Sequence, residues 1–416
     1  MDAEEWLDGY CPVERRRQLE SEARFEAGTL ILRHGLWIGL AALFWASGLD
    51  EQLAGALRAK FPGGGWAPWA YMGQAALAVL TYEILLFPLT YALACVRERL
   101  RPAEEREDGE PLTLGGFLWG YLWVLGTEVL VVTAGLTLVH VLRRFLGLGW
   151  WVAMVGMWAL LESDVVGWFR PARHRQKVED EEFLESLRAS VARLEAGNVE
   201  NAPKKHVSIV WKRVLWGRIG GSGLKIDGVE LDSDDWEAQR PVRLARSEGK
   251  GDQPGRVFVV ARECWMALTP SARLALLLRE AAEWRARRFL RVVELVLMSV
   301  ACAAGAWLAD GIAARMGWGT LAAPEAIPLV VIVFFSLALF FGCVLKFLAR
   351  RVNLLCDVRT AAAHPGGATA FASMLKELFP LTEEAPSLPR WCTLLLFEYA
   401  PLSRVIRVRR ALGEGG

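Results

Sequence analysis

Six stretches of this chain are each long and apolar enough to cross a lipid bilayer, and no other feature restricts its fold so severely. A hydrocarbon core about 30 Å thick needs roughly 20 mostly apolar residues in helical form. That template fits near residues 30–49, 67–95, 113–142, 146–168, 289–309 and 326–348. Arg33 and His34 interrupt the first block near its start and would have to reach the interface by snorkelling. The second and third blocks exceed the minimum length, which implies tilt or extension past the lipid. With 53% hydrophobic residues over 416 positions, the chain carries more apolar surface than one water-soluble core uses. The expectation is a mainly α, polytopic membrane protein with about six transmembrane helices.

The short flanking segments give that expectation an orientation. Arg15, Arg16, Arg17 and Arg24 precede the first block; Arg97, Arg99, Arg101 and Arg106 follow the second; Arg170, Arg173, Arg175 and Lys177 follow the fourth. The opposite loops carry less: Arg58 with Lys60, Arg143 with Arg144, and Arg315. The positive-inside rule then places both termini and residues 170–288 in the cytoplasm, with the chain in a plasma (inner) membrane. The opening MDAEEWLDGY is acidic and lacks the basic start of a secretory signal, so the first block reads as a retained span. Lys and Arg total 48 against 47 Asp and Glu, a formal charge of +1. That balance argues against a nucleic-acid partner and leaves membrane lipids as the expected surroundings. The seven cysteines are scattered without a CxxC pair and read as reduced thiols used as small hydrophobes.

Residues 170–288 form the one sizeable soluble block. Val178 to Ala196 reads as a helix whose apolar face is Leu184, Leu187, Val191 and Leu194. Strand-like runs follow at His206 to Leu215, Leu224 to Leu231 and Arg256 to Ala261, which predicts a small antiparallel sheet. The glycine-rich GRIGGSG lacks the Lys-Ser/Thr of a phosphate-binding loop and reads as a hairpin loop. Thr269-Pro270 starts a helix that runs through Leu290 into the fifth block.

Five segments, taken in order, carry a resemblance. They are LLFPLTYALACVRERL, GWWVAMV, LTPSARLALLLREAAEW (Leu268 to Trp284), RRVNLLCDVRTAAAHPGGATAFASMLKEL and EYAPLSRVIRVRRAL. The series resembles the CAAX prenyl protease type 1 and HtpX-like integral-membrane zinc metallopeptidases. The resemblance implies helices around an intramembrane chamber and a cytoplasmic α+β metallopeptidase-like domain. It divides the chain into a four-span region 1–169, a cytoplasmic domain 170–288, a membrane hairpin 289–348 and a C-terminal helical part 349–416.

The family binds zinc through HExxH on one helix and ExxxD on a later one. Mapped here, the first motif falls on Arg279, Glu280, Ala281, Ala282 and Glu283, so only the general-base position, Glu280, is kept. The second falls on Asn353 to Asp357: Asn353 stands at the third ligand position and Asp357 at the outer carboxylate. The late histidine of the family falls near Tyr399. Arginine stays protonated and cannot coordinate a metal, so zinc, expected for the family, is predicted absent and Glu280 vestigial. The five histidines include no pair at ligand spacing, and a hard ion on Glu280, Glu283 and Asp357 would have Arg279 beside it. Either these residues form a salt-bridge network in place of the metal, or they are ordinary surface charges.

Acidic residues inside the apolar blocks are costly in hydrocarbon and usually face a protein or water-filled interior. Glu83 and Glu128 are the chamber candidates; Glu162 and Asp164 fit the headgroup level. The functional expectation is a pseudoprotease that binds a peptide, lipidated tail or partner protein without cutting it. The alternatives are an active membrane endopeptidase using unorthodox ligands, and a structural protein with a lipid-filled cavity.

Overall fold

The computed structural model describes residues 3–60, 68–100, 113–161, 175–196, 226–232, 242–246, 256–320, 323–382, 385–389, 392 and 400–413. They are mainly helical, with one small sheet, and group into two units. One unit comprises residues 24–169 and 294–345, the other residues 1–23, 170–293 and 346–416. Among the described residues, five helices are long and apolar enough to cross a membrane: Val13–Ala46, Tyr71–Val96, Leu114–Leu146, Phe289–Arg315 and Ile327–Ala363. Their length and composition fit a membrane protein. Of the fourth expected block, the described part is a helix of 12 residues, Trp150–Leu161, about 18 Å long at 1.5 Å per residue. The rest of that block lies outside the described residues, as do the strand-like run His206 to Leu215 and GRIGGSG.

In the first of these units, helix α2 (Val13–Ala46) from residue 24 onward, α3 (Leu49–Lys60), α4 (Pro68–Leu100), α5 (Leu114–Leu146) and α6 (Trp150–Leu161) are followed in chain order by parts of two longer helices. Its interior packs Tyr71, Ala75, Leu136, Trp150, Ala306, Ala309, Ile327 and Val330 together. Small residues recur every fourth position at Gly305, Ala309 and Ala313, which lets helices approach closely. A Cβ added at Gly305 would stand 2.9 Å from the Phe334 ring, so a larger residue there would push the Phe334 and Leu337 side chains aside. Arg143 at the end of α5 ties in Asp310, with Nε and Nη2 donating to one carboxylate oxygen at 3.1 and 2.9 Å.

The other unit is built around a sheet of β1 (Arg175–Lys177), β2 (Ile226–Asp232), β3 (Val242–Arg246) and β4 (Arg256–Ala261), in the order β1-β2-β4-β3. The all-antiparallel sheet expected from sequence is corrected at its centre: β2 and β4 pair in parallel, while β1–β2 and β3–β4 are antiparallel. The chain returns from β3 as a hairpin that inserts β4 beside β2. Lying between β2 and β3, β4 reads as a continuous apolar run, and Val257 to Val260 are all buried.

Helix α7 (Glu181–Ala196) packs its Leu184, Leu187, Val191 and Leu194 face into this core. The short α8 (Arg262–Ala267) leads into α9 (Pro270–Arg315), and α10 (Ile327–Ala363), α11 (Gly367–Thr382) and α12 (Pro401–Leu412) complete the chain. At 37 residues α10 is about 55 Å long, well beyond the roughly 30 Å of hydrocarbon. The N-terminal helix α1 (Ala3–Asp8) belongs to the same core: Trp6 is fully buried and stacks on Tyr10, which meets Phe379 of α11. Residues 1–23 thus group with this unit, although in chain order they open the region 1–169.

Candidate functional site

The helix that carries the HExxH-like positions is fixed at its start by a local device. Thr269 accepts a bond from the Ala272 amide at 3.3 Å, and Pro270 follows where a missing N–H costs nothing. The Thr269 amide and hydroxyl donate to the Glu377 carboxylate of α11 at 2.7 and 3.0 Å. At the far end of α10, His364 accepts the Gly366 amide on Nδ1 at 2.9 Å and donates from Nε2 to the Ser271 carbonyl at 3.1 Å. Burial lowers the His364 pKa, which suits that neutral form. These contacts set α9 and α10 in register.

Spacing along α9 then lines up Arg279, Glu280, Glu283 and Arg287 over a little more than two turns. Arg287 is bidentate to Glu280 at 2.7 and 2.8 Å and reaches Glu283 at 3.0 Å. Arg279 forms an ion pair with Glu283 at 2.6 Å and donates from Nε to Asp357 of α10 at 3.2 Å. Arg404 of α12 closes the series, with Nε and Nη2 on the two Asp357 oxygens at 2.8 Å each. The result is a continuous chain of alternating charge from Glu280 through Arg287, Glu283, Arg279 and Asp357 to Arg404. Among these described members, carboxylates and guanidiniums are equal in number.

Burial is graded along it. The side chain of Asp357 is 1% exposed and that of Arg404 5%, whereas Arg279 is 20% exposed. Burial raises the pKa of Glu280, and the Arg287 charge and hydrogen bonds only partly offset this. For Arg287 burial works against the charge, but Glu280 and Glu283 outweigh it and its pKa is raised. Arg404 faces inward because Pro401, Val405 and Val408 share its buried side of α12, and its guanidinium lies 5.7 Å from the Phe371 ring centre.

Of the residues singled out in the sequence, Arg279, Glu280, Glu283 and Asp357 are brought together. Asn353 stands one turn before Asp357, half-buried, and makes no side-chain hydrogen bond to the described members of the network. Tyr399, Glu162 and Asp164 lie outside the described residues, and so does the side chain of Glu128 in α5. Glu83 is buried in α4, in the other unit, where the Tyr121 hydroxyl donates to its carboxylate at 3.0 Å. Sequence reasoning missed Arg287 and Arg404. The first was visible as a cation four residues after Glu283 and seven after Glu280. The second was visible as an arginine on the apolar side of a short amphipathic helix, a place that calls for a buried anion.

Fold and network together define a class: a mainly helical chain with helices long and apolar enough to cross a membrane and a small α+β unit cross-tied by a buried guanidinium–carboxylate series. No protein-family model matches the chain, and no curated protein matches it.

Proposed function

We propose that this chain is a catalytically impaired relative of the CAAX prenyl protease type 1 metallopeptidases, which binds a peptide, lipidated tail or partner protein without zinc-dependent cleavage. The observation that carries the reading is the Arg279 bridge. At the first-ligand position of the resemblance, a guanidinium spans Glu283 on its own helix and Asp357 on the next. A zinc ion there would need those oxygens, and they already face permanent cations. Among the described residues, no group of three or more His, Cys, Asp and Glu is placed to hold a metal. The residues present therefore do not fit zinc, and the ionic series takes the part of a crosslink between α9 and α10.

Elemental analysis of the purified full-length protein is expected to find zinc far below stoichiometric. A fluorescent farnesylated peptide is expected to bind in detergent and to be recovered intact. Stoichiometric zinc that a chelator removes, together with cleavage of the peptide, overturns the reading. Zinc-free protein that does not retain the peptide overturns the binding role and leaves a structural one.

In this reading the helices enclose a chamber and the α+β unit is cytoplasmic in the inner membrane. Arginine asymmetry in the short loops supports that side. A cysteine introduced in SEGKGDQPG is expected to resist a membrane-impermeant thiol reagent applied to intact cells. Efficient labelling there reverses the topology.

A further inference from the structure

Asp50 lies outside the network and outside every apolar span. It opens α3, which packs against the turn Pro324–Ala326 and against α4. Only 1% of the residue is exposed, and neither carboxylate oxygen accepts a hydrogen bond of good geometry, the amides of Asp50 and Glu51 giving it only weak local help. No ion pair joins it to a described cation. The titratable groups around it deepen the difficulty: Glu51 on α3 and Glu325 in the turn both repel its charge, and from α4 it meets the buried Tyr82. Glu51 is itself held by the Trp318 indole N–H at 3.3 Å.

A buried carboxylate in such a place can be neutralised by a cation or by a proton. A divalent cation wants six or more oxygens, and among the described residues no three acidic, histidine or cysteine side chains converge. The proton is the neutralising ligand that needs no shell of coordinating oxygens, and it removes the charge, the costliest part of the burial. Burial raises the Asp50 pKa, the amides of Asp50 and Glu51 work against that rise, and the Glu51 and Glu325 charges add to it.

We infer that Asp50 is a proton-binding site: it is held as a neutral carboxylic acid that seats α3 against the turn Pro324–Ala326, and its ionisation loosens that seat. The step is one proton transfer. The Oδ–H bond breaks, the proton passes to water, and a carboxylate is left facing Glu325. The sign follows from linkage. An acid whose folded pKa is raised contributes its full stabilising share below its unfolded pKa, about 3.9. It loses that share as pH climbs through the raised folded value.

The test is infrared spectroscopy of the full-length protein in detergent across a pH series. The carbonyl band of a protonated carboxylic acid is expected at neutral pH, to disappear as pH rises, and to be missing from Asp50→Asn. The thermal midpoint of the wild type is expected to fall over the same interval, and that component should vanish in Asp50→Asn. Should that variant fold poorly, Glu325→Gln gives an independent reading, because removing the neighbouring charge must move the band's loss to lower pH. A band unchanged in Asp50→Asn, or a titration unmoved in Glu325→Gln, overturns the assignment. So does neutral-pH stability that depends on added sodium or calcium in the wild type and not in Asp50→Asn, since the carboxylate would then hold a cation.

Discussion

Replacing Arg404 by alanine is expected to lower the unfolding free energy by about 3–5 kcal/mol, the range for breaking a buried pair from one side. Asp357 would keep its charge at 1% exposure and lose both of its short bonds to Arg404. Arg279 cannot compensate, because its one bond to Asp357 is longer, at 3.2 Å, and its side chain is already engaged by Glu283. Arg279→Ala should therefore be milder, about 1–2 kcal/mol, between the scales of exposed and buried pairs. Removing both charges, as in Arg404→Met with Asp357→Leu, should recover most of the loss. Denaturant titration of the four proteins in one detergent checks the order. If Arg404→Ala costs no more than Arg279→Ala, the anchor has been placed on the wrong arginine.

Trp6→Ala is the second large effect, about 3–5 kcal/mol, as for other fully buried aromatic truncations. Trp6 has no exposed surface, stacks on Tyr10 at 4.7 Å between ring centres, and has the Lys376 ammonium 5.9 Å above its ring. Met266, in the same unit but 70% exposed, provides the control, and Met266→Ala should stay within about 0.5 kcal/mol. A Trp6→Ala protein as stable as the Met266 variant would show that the first helix is an appendage.

The long apolar helices were legible because hydrocarbon thickness translates directly into a run of apolar residues, and the point where α10 turns polar announces itself by arginines at 350 and 351. The face of α7 and the strand β4 were legible for the same reason: periodicity records burial. What was not legible depends on partners far along the chain. Three residues of β1 and five of β3 carry too little pattern to stand out. The parallel pairing of β2 with β4 is a property of how a hairpin inserts, which no strand encodes alone. Spacing on α9 foretold the Arg279–Glu283 pair, and the resemblance pointed to Asp357. It centred the cluster on Arg279, however, whereas the most buried cation is Arg404, and Asn353 makes no bond in the network.

Trp6 and Tyr10 find their partners in α11, and the Glu20 carboxylate accepts a bond from Ser387 across 367 positions of chain. A ribosome moving at roughly 5–20 residues per second needs about 20–75 s to traverse that interval. Throughout it the first helix must wait with a tryptophan and a tyrosine uncovered, while several apolar helices are already entering the bilayer. The first helix is thus completed by the last ones, and a chain that stops short of Phe379 lacks the ring that Tyr10 meets and the helix Pro401–Leu412 that packs against α1.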